Sequence, residues 1–273
     1  VAYSASLGGI GTLIGSPPNA IAAKYMADSG SELSFFNWLI TALPFVVTSL
    51  VLCWLILLFK ADDLDKRIHI EHTDTAPLNS SQYLVLGIFL LTVILWLSSE
   101  VTKISASTVA LIPLILFSFL GIIDEDDIHR ISWSTLLLFG GGLSLGTAIM
   151  QSGADKTIIS LGLESWKQMN PFLLILSLSF FAIFVTMIAS NTASAAILIP
   201  MLLPLTQELP ITMSQIVYLI AIGVSLDFMM PMGTPPSAIA YSTGLVSVKE
   251  MLKTGFIINL LTGLLLSLYV VWL

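Results

Sequence analysis

The sequence predicts an all-α membrane protein, polytopic, with two proline-broken helices and a re-entrant hairpin set in an inverted repeat. Three observations lead there. Hydrophobic residues make up 56% of the 273 residues and charged residues 10%, against about 25% charged in ordinary soluble domains. Charge-free stretches recur at 1–23, 33–59, 82–99, 104–123, 131–154, 168–207, 209–226, 228–248 and 254–273, and most can cross a core that takes about 20 apolar residues. Finally, "GSPPNAIA" at 15–22 returns as "GTPPSAIA" at 233–240 with six of eight positions identical, so matched helix breakers stand near both ends of the chain.

The first element, 1 to about 25, is a helix interrupted at its centre, because Pro17 lacks a backbone N–H and pushes Ser16 out of the helical region. Elements centred near Val47, Leu90, Leu114, Gly142 and Phe181 follow. The arm 195–205, with Pro200 and Pro204, rises only about 16 Å as a helix, half of the roughly 30 Å core. The stretch from 171 to about 206 is therefore read as a re-entrant hairpin whose tip, "SNTAS", reaches mid-membrane. A second broken helix at about 214–244 and a last helix at about 255–273 complete the chain. Four full crossings then separate the two broken helices, which run in opposite directions. On this reading 1–60 ends a first inverted repeat, 61–81 is a cytoplasmic linker and 82–273 is the second repeat. Placing Lys60, Lys66 and Arg67 in the cytoplasm puts Arg130, Lys249 and Lys253 there too, with Lys24, Lys103, Lys156, Lys167 and the carboxyl terminus outside. The opening "VAYSASLGG" has no methionine, charged n-region or cleavage site, so it is no signal peptide and reads as the start of a fragment.

Several classes drop out. The net charge of -7 resides in short connectors, which excludes a soluble nucleic-acid-binding protein. Cys53 is the single cysteine, so neither an internal disulfide nor a cysteine-rich metal site can form. His69, His72 and His129 lie in charged loops and read as solvated. A membrane-embedded enzyme needs an acid/base pair or metal ligands at depth, and Asp227, with no intramembrane His, Lys or Arg, is a poor toolkit.

What remains is a secondary transporter, because paired broken helices in an inverted repeat mark a site at the repeat interface. Unwound backbone is tolerated at membrane depth only where protein or a water-filled cavity satisfies it, and its carbonyl oxygens suit hard cations such as sodium. The breaks add the hydroxyls of Thr12, Ser16, Thr234 and Ser237 and the amide of Asn19. Ser190, Asn191 and Thr192 at the hairpin tip add two hydroxyls and an amide beside a helix N-terminus that favours anions. "GGG" at 140–142 reads as close helix packing. Asp227, an acid in the second broken helix, is a candidate coupling group.

The segments "SASLGGIGTLIGSPPNAIA", "LLLFGGGLSLGTA", "SNTASAAILIPML" and "MMPMGTPPSAIAY" resemble the divalent anion/sodium symporters in order and spacing, and the resemblance covers essentially all 273 residues. It implies sodium-coupled symport of a C4-dicarboxylate, citrate or sulfate by an elevator motion, in a homodimer in the cell membrane, with Na+ as coupling ion. It also implies that Ser190, Asn191, Thr192, Gly233, Thr234 and Pro235 touch the anion. Gly11, Thr12, Gly15, Ser16 and Asn19 would form a first sodium site, and Asn191, Thr192, Met232 and Thr234 a second. The family's first Ser-Asn-Thr tip would lie upstream of Val1, so this chain alone is not expected to transport. Ser237 stands where the first break has Asn19, a shorter polar arm. A proton-coupled carrier or an anion exchanger of the same fold is the alternative.

Overall fold

The computed structural model describes residues 1–31, 33–60, 77–131, 133–231 and 233–273. The readings of Lys66, Arg67, His69, His72 and Met232 fall outside these residues. Among them every regular element is a helix: α1 (Ala2–Ile10), α2 (Pro17–Asp28), α3 (Phe35–Lys60), α4 (Ser80–Leu97), α5 (Ser99–Thr102), α6 (Ala106–Phe119), α7 (Glu125–His129), α8 (Trp133–Ser152), α9 (Ala154–Lys167), α10 (Pro171–Ile188), α11 (Asn191–Leu202), α12 (Leu205–Glu208), α13 (Met213–Gly223), α14 (Pro235–Ser242) and α15 (Val248–Val271). Four of them, α3, α4, α10 and α15, are long and apolar enough to cross a membrane, and the protein is an integral, multi-pass membrane protein.

Both breaks follow from the same local chemistry. Pro17 and Pro18 occupy the first turn of α2, as Pro235 and Pro236 do in α14, where their missing N–H groups cost nothing. The residue before each pair is forced extended: Ser16 has φ -145 and ψ 140, and Thr234 has φ -133 and ψ 146. Elsewhere the starts are set by side chains. Capping boxes open α4 (Asn79 with Gln82), α13 (Thr212 with Gln215) and α15 (Ser247 with Glu250), while Asn170 accepts the Leu173 N–H at 2.8 Å ahead of Pro171.

The expected elements near Val47, Leu90, Leu114, Gly142 and Phe181 are α3, α4, α6, α8 and α10. Three details differ. The arm after the tip starts at Asn191 rather than 195, because Ser190 caps it by accepting the Ala193 N–H at 3.2 Å. The last helix starts at Val248 rather than about 255, since its capping box outweighs the charges of its first turn. Helix α9 was not foreseen, because four charged residues in 14 hide it from a search for charge-free runs.

The centre of the molecule is built from short, fully enclosed helices. Residues 216–223 of α13 are all buried, as is most of α11, and α11 packs against α8, α2 and α13. Around them α10 packs on α15 and α13, and α1 on α3 and α14. Trp38 of α3 stacks on Tyr218 at 4.9 Å between ring centres, and its indole N–H donates to the Ile10 carbonyl at 2.9 Å. That bond satisfies one of the carbonyls the first break frees. Small residues allow the closest approaches: a Cβ at Gly142 would overlap Ala196 of α11, and one at Gly146 would overlap Tyr25 and Pro200. Gly140 and Gly141 have no such neighbour among the described residues, so within them it is Gly142 of "GGG" that makes the close contact.

These glycines separate sharply by mutation. Gly142→Val is expected to lower stability by about 1–3 kcal/mol through overpacking, whereas Gly141→Ala should be neutral or stabilising by a fraction of a kcal/mol, since a helical alanine replaces a freer glycine. Thermal unfolding midpoints in detergent, compared with the parent's, check both.

Candidate functional site

A cavity of about 380 Å3 lies where the two breaks and the α10–α11 turn converge. Gly15, Ser16 and Pro17 come from the first break, Ser225, Gly233, Thr234 and Pro235 from the second, and Ser190, Asn191 and Thr192 from the turn. Ser6 and Gly9 of α1 close it. Residues more than 200 positions apart thus share one wall.

The first break, residues 11–16, is held by Asn19. Its Nδ2 lies 2.8 Å from the Thr12 carbonyl, 3.0 Å from that of Gly9 and 3.4 Å from that of Ile10. An amide nitrogen has two protons, so Thr12 and Gly9 take them and Ile10 keeps the Trp38 donor. Asn19 is fully buried and is a tie for the loop; with Gly11 and Thr12 it lies off the cavity lining, which takes Gly15 and Ser16. Gly15 is required by geometry, because a Cβ there would stand 2.5 Å from the Gly9 carbonyl oxygen.

The second break, residues 224–234, is looser. Ser237, in the place of Asn19, reaches only a hydroxyl: Thr234 Oγ1 donates to Ser237 Oγ at 3.0 Å. Thr234 Oγ1 also lies 3.2 Å from Ser6 Oγ, so a chain of three hydroxyls joins α1 to α14. The turn is tied in by Thr186, whose Oγ1 is 2.5 Å from Asn191 Oδ1 and 2.8 Å from the Val224 carbonyl. A hydroxyl has one proton. Thr186 therefore donates to either acceptor, Asn191 Oδ1 or the Val224 carbonyl, and so holds the turn against the second break.

Asp227 lies inside the unwound segment, not on the helical turn before it. It is fully buried. Its two carboxylate oxygens have no hydrogen-bond partner of ordinary geometry among the described residues, although the Met230 and Met229 amides bear on it. It sits directly behind Gly233: a Cβ at 233 would fall on Asp227 Oδ2. Gly233 therefore shows one face to the cavity and the other to a buried carboxylate. From α15, Asn259, with its amide turned to donate, reaches the Leu226 and Gly255 carbonyls at 3.2 and 3.3 Å.

Chemically the lining among the described residues is hydroxyls, one carboxamide and backbone, with no charged side chain. Its strongest electrostatic feature is that Ser16, Ser190 and Thr234, the N-caps of α2, α11 and α14, all stand on it. Three helix N-termini, each with the positive end of its dipole, meet at one place. Sequence reasoning missed Ser6, Gly9, Thr186, Ser225 and Asn259. Thr186 had a signal, a hydroxyl in an apolar helix one turn before the tip; Ser6 and Asn259 had none short of the fold.

The contact between Gly233 and Asp227 predicts a paired effect. Gly233→Ala alone should destabilise by about 1–3 kcal/mol or more, and Asp227→Ala in the same chain should recover most of that loss. Thermal midpoints of the two single variants and the double variant test the pairing.

A family model described as the sodium:sulfate symporter transmembrane region matches residues 1–273. An uncharacterized transporter of Methanocaldococcus jannaschii is 33% identical over 277 residues, covering 98% of this chain and 62% of that protein. The sodium-dependent dicarboxylate transporter SdcS of Staphylococcus saprophyticus is 30% identical over 299 residues, covering 100% of this chain and 57% of the relative. An uncharacterized transporter of Haemophilus influenzae is 34% identical over 291 residues, covering 100% and 62%. The chain thus spans about three-fifths of the length of the relatives it matches.

Proposed function

Since the chain belongs to the sodium:sulfate symporter family, we propose that the protein is a secondary transporter, not an enzyme, that moves a divalent anion with sodium ions through the cavity between the breaks. The carrying observation is the convergence of three helix N-termini on a lining that, among the described residues, holds no charged side chain. A divalent anion entering there gives up much of its hydration, and each helix end offers about half a positive charge. That is too little for two negative charges in a low dielectric, so bound cations supply the rest. Cation binding then comes before tight anion binding, which is the physical root of coupling.

The roles follow the chemistry of each group. Ser190, Asn191 and Thr192, with Gly233, Thr234 and Pro235, present hydroxyls, amides and a helix N-terminus to the anion. Gly15 and Ser16, with Gly11 and Thr12, serve the first sodium site, while Asn19 holds the break in place through the Gly9 and Thr12 carbonyls. Asn191, Thr192, Met232 and Thr234 serve the second. Asp227, behind Gly233, is a candidate coupling group. C4-dicarboxylates rank first, because the relative named for a substrate is a dicarboxylate transporter; citrate and sulfate are the other candidates. The hairpin, the inverted repeat with its linker at 61–81, the elevator motion and the homodimer belong to the same reading. They are supported by the two-residue break between α10 and α11 and by the matched prolines.

The test is uptake of radiolabelled succinate, citrate and sulfate by the full-length protein in proteoliposomes. Uptake of one of them is expected to require a sodium gradient. Asn191→Ala should lower apparent sodium and substrate affinity by about tenfold or more, the loss of a hydrogen bond to a charged partner, with only a small drop in thermal midpoint from the lost bond to Thr186. Uptake driven equally by a proton gradient without sodium would favour the proton-coupled carrier. In the same assay Asp227→Asn should alter the cation dependence and leave substrate affinity intact, and curves superimposable on the parent's would remove Asp227 from coupling.

A further inference from the structure

The described lysine and arginine side chains divide by place. Lys24, Lys103, Arg130 and Lys167 face the carboxylates of Asp28, Glu100, Asp127 and Glu208. Lys60, Lys249 and Lys253 have no ion pair among the described residues, and these three stand together where α3 ends and α15 begins. Lys60 closes α3 and its ammonium donates to Thr254 Oγ1 at 2.9 Å. Lys249 and Lys253 lie one turn apart at the start of α15, where the positive pole of the helix adds to their charge. Glu250, the carboxylate of that turn, is already engaged by the Ser247 N–H at 2.8 Å and hydroxyl at 2.6 Å. A cluster that no described carboxylate neutralises is suited to an anion from outside the chain.

The surface beneath the cluster says which kind. Lys60 and Lys253 rim an open cavity of about 560 Å3 that also touches Met229 and Phe256. Those two residues continue into a second, almost wholly apolar trough of about 310 Å3 between α10 and α15, walled by Phe184. Both α3 and α15 are long enough to cross the bilayer, so their adjoining ends lie at its edge, with ammonium groups at headgroup level and the trough toward hydrocarbon. A free anion would use the upper part alone.

We propose that this groove is a binding site for an anionic phospholipid, its phosphate between Lys60 and Lys253 and an acyl chain along Phe256 and Phe184. Basic pockets between membrane helices hold such headgroups. Met229 lies in the unwound segment 224–234, so a lipid seated here presses on the back of the second break and supports the cavity wall that carries Gly233 and Thr234. Lipid occupancy thereby becomes a means of regulating the site on the other face of that segment.

Native mass spectrometry of the delipidated full-length protein, titrated with phosphatidylglycerol, phosphatidylcholine or inorganic phosphate, tests the proposal. One phosphatidylglycerol should bind saturably, phosphatidylcholine and phosphate much more weakly. Lys60→Gln with Lys253→Gln should weaken phosphatidylglycerol binding by about fivefold for each lysine removed. Lys60→Arg with Lys253→Arg should retain it, which tells a lost site from a lost fold. Lys24→Gln with Lys167→Gln, at ion-paired positions, should leave it unchanged. Equal retention by the Lys60/Lys253 glutamine pair and the parent, which is the outcome if the chain's own acids neutralise these lysines, would overturn the proposal. So would phosphatidylcholine binding as tightly as phosphatidylglycerol, or inorganic phosphate binding as tightly as the lipid.

Discussion

A proline has no backbone N–H to give, and two prolines in succession end any helix that approaches them. Placed inside a membrane protein, this simple deficit leaves carbonyls and amides that hydrocarbon cannot satisfy. Much of the centre of this molecule answers that constraint. Asn19 donates to the Thr12 and Gly9 carbonyls, Trp38 donates to that of Ile10, and Thr186 reaches that of Val224. The short helices α11 and α13 are enclosed so that none of this backbone meets lipid. The residual polar space, where the two breaks face each other, is the cavity.

The two breaks share a device but not a strength. An amide at 19 ties down two carbonyls, while among the described residues a hydroxyl at 237 meets only the Thr234 hydroxyl and joins a chain of hydroxyls to Ser6. The second break is also longer, and it holds the buried carboxylate of Asp227 under Gly233. A stiff wall and a softer one around the same cavity give the softer one more freedom to respond to what binds. Its outer face is where Lys60, Lys253 and the apolar trough lie. The packing against α15 through Gly255 makes that helix the natural route between the two faces.

The sequence displayed what depends on local chemistry and concealed what depends on the fold. Pro17 and Pro235 announced both breaks, since proline acts on its own residue and the one before it. Long charge-free runs announced α3, α4, α10 and α15 because hydrocarbon selects composition over some 20 residues at a time. Ser6, Thr186 and Asn259 stayed hidden because their importance lies in partners 228, 38 or about 30 positions away. Helix α9 stayed hidden because its charges look like a connector. Asn19 is legible in the sequence as an amide beside the break, yet its position off the lining follows only from the three carbonyls around it. "GGG" promised three packing glycines, and the register of α8 against α11 uses one of them, Gly142, with Gly146 beyond the motif.

The central claim is that the two breaks, far apart in sequence, form one wall, with Ser6 and Thr234 in contact. Cysteines at these two positions, introduced in a Cys53→Ala background with a protease site inserted between α3 and α4, measure it directly. Oxidation should join the two proteolytic halves into one band that reduction separates, since the native hydroxyls stand 3.2 Å apart. Halves that remain separate after oxidation, in protein that retains its thermal midpoint, would contradict the account.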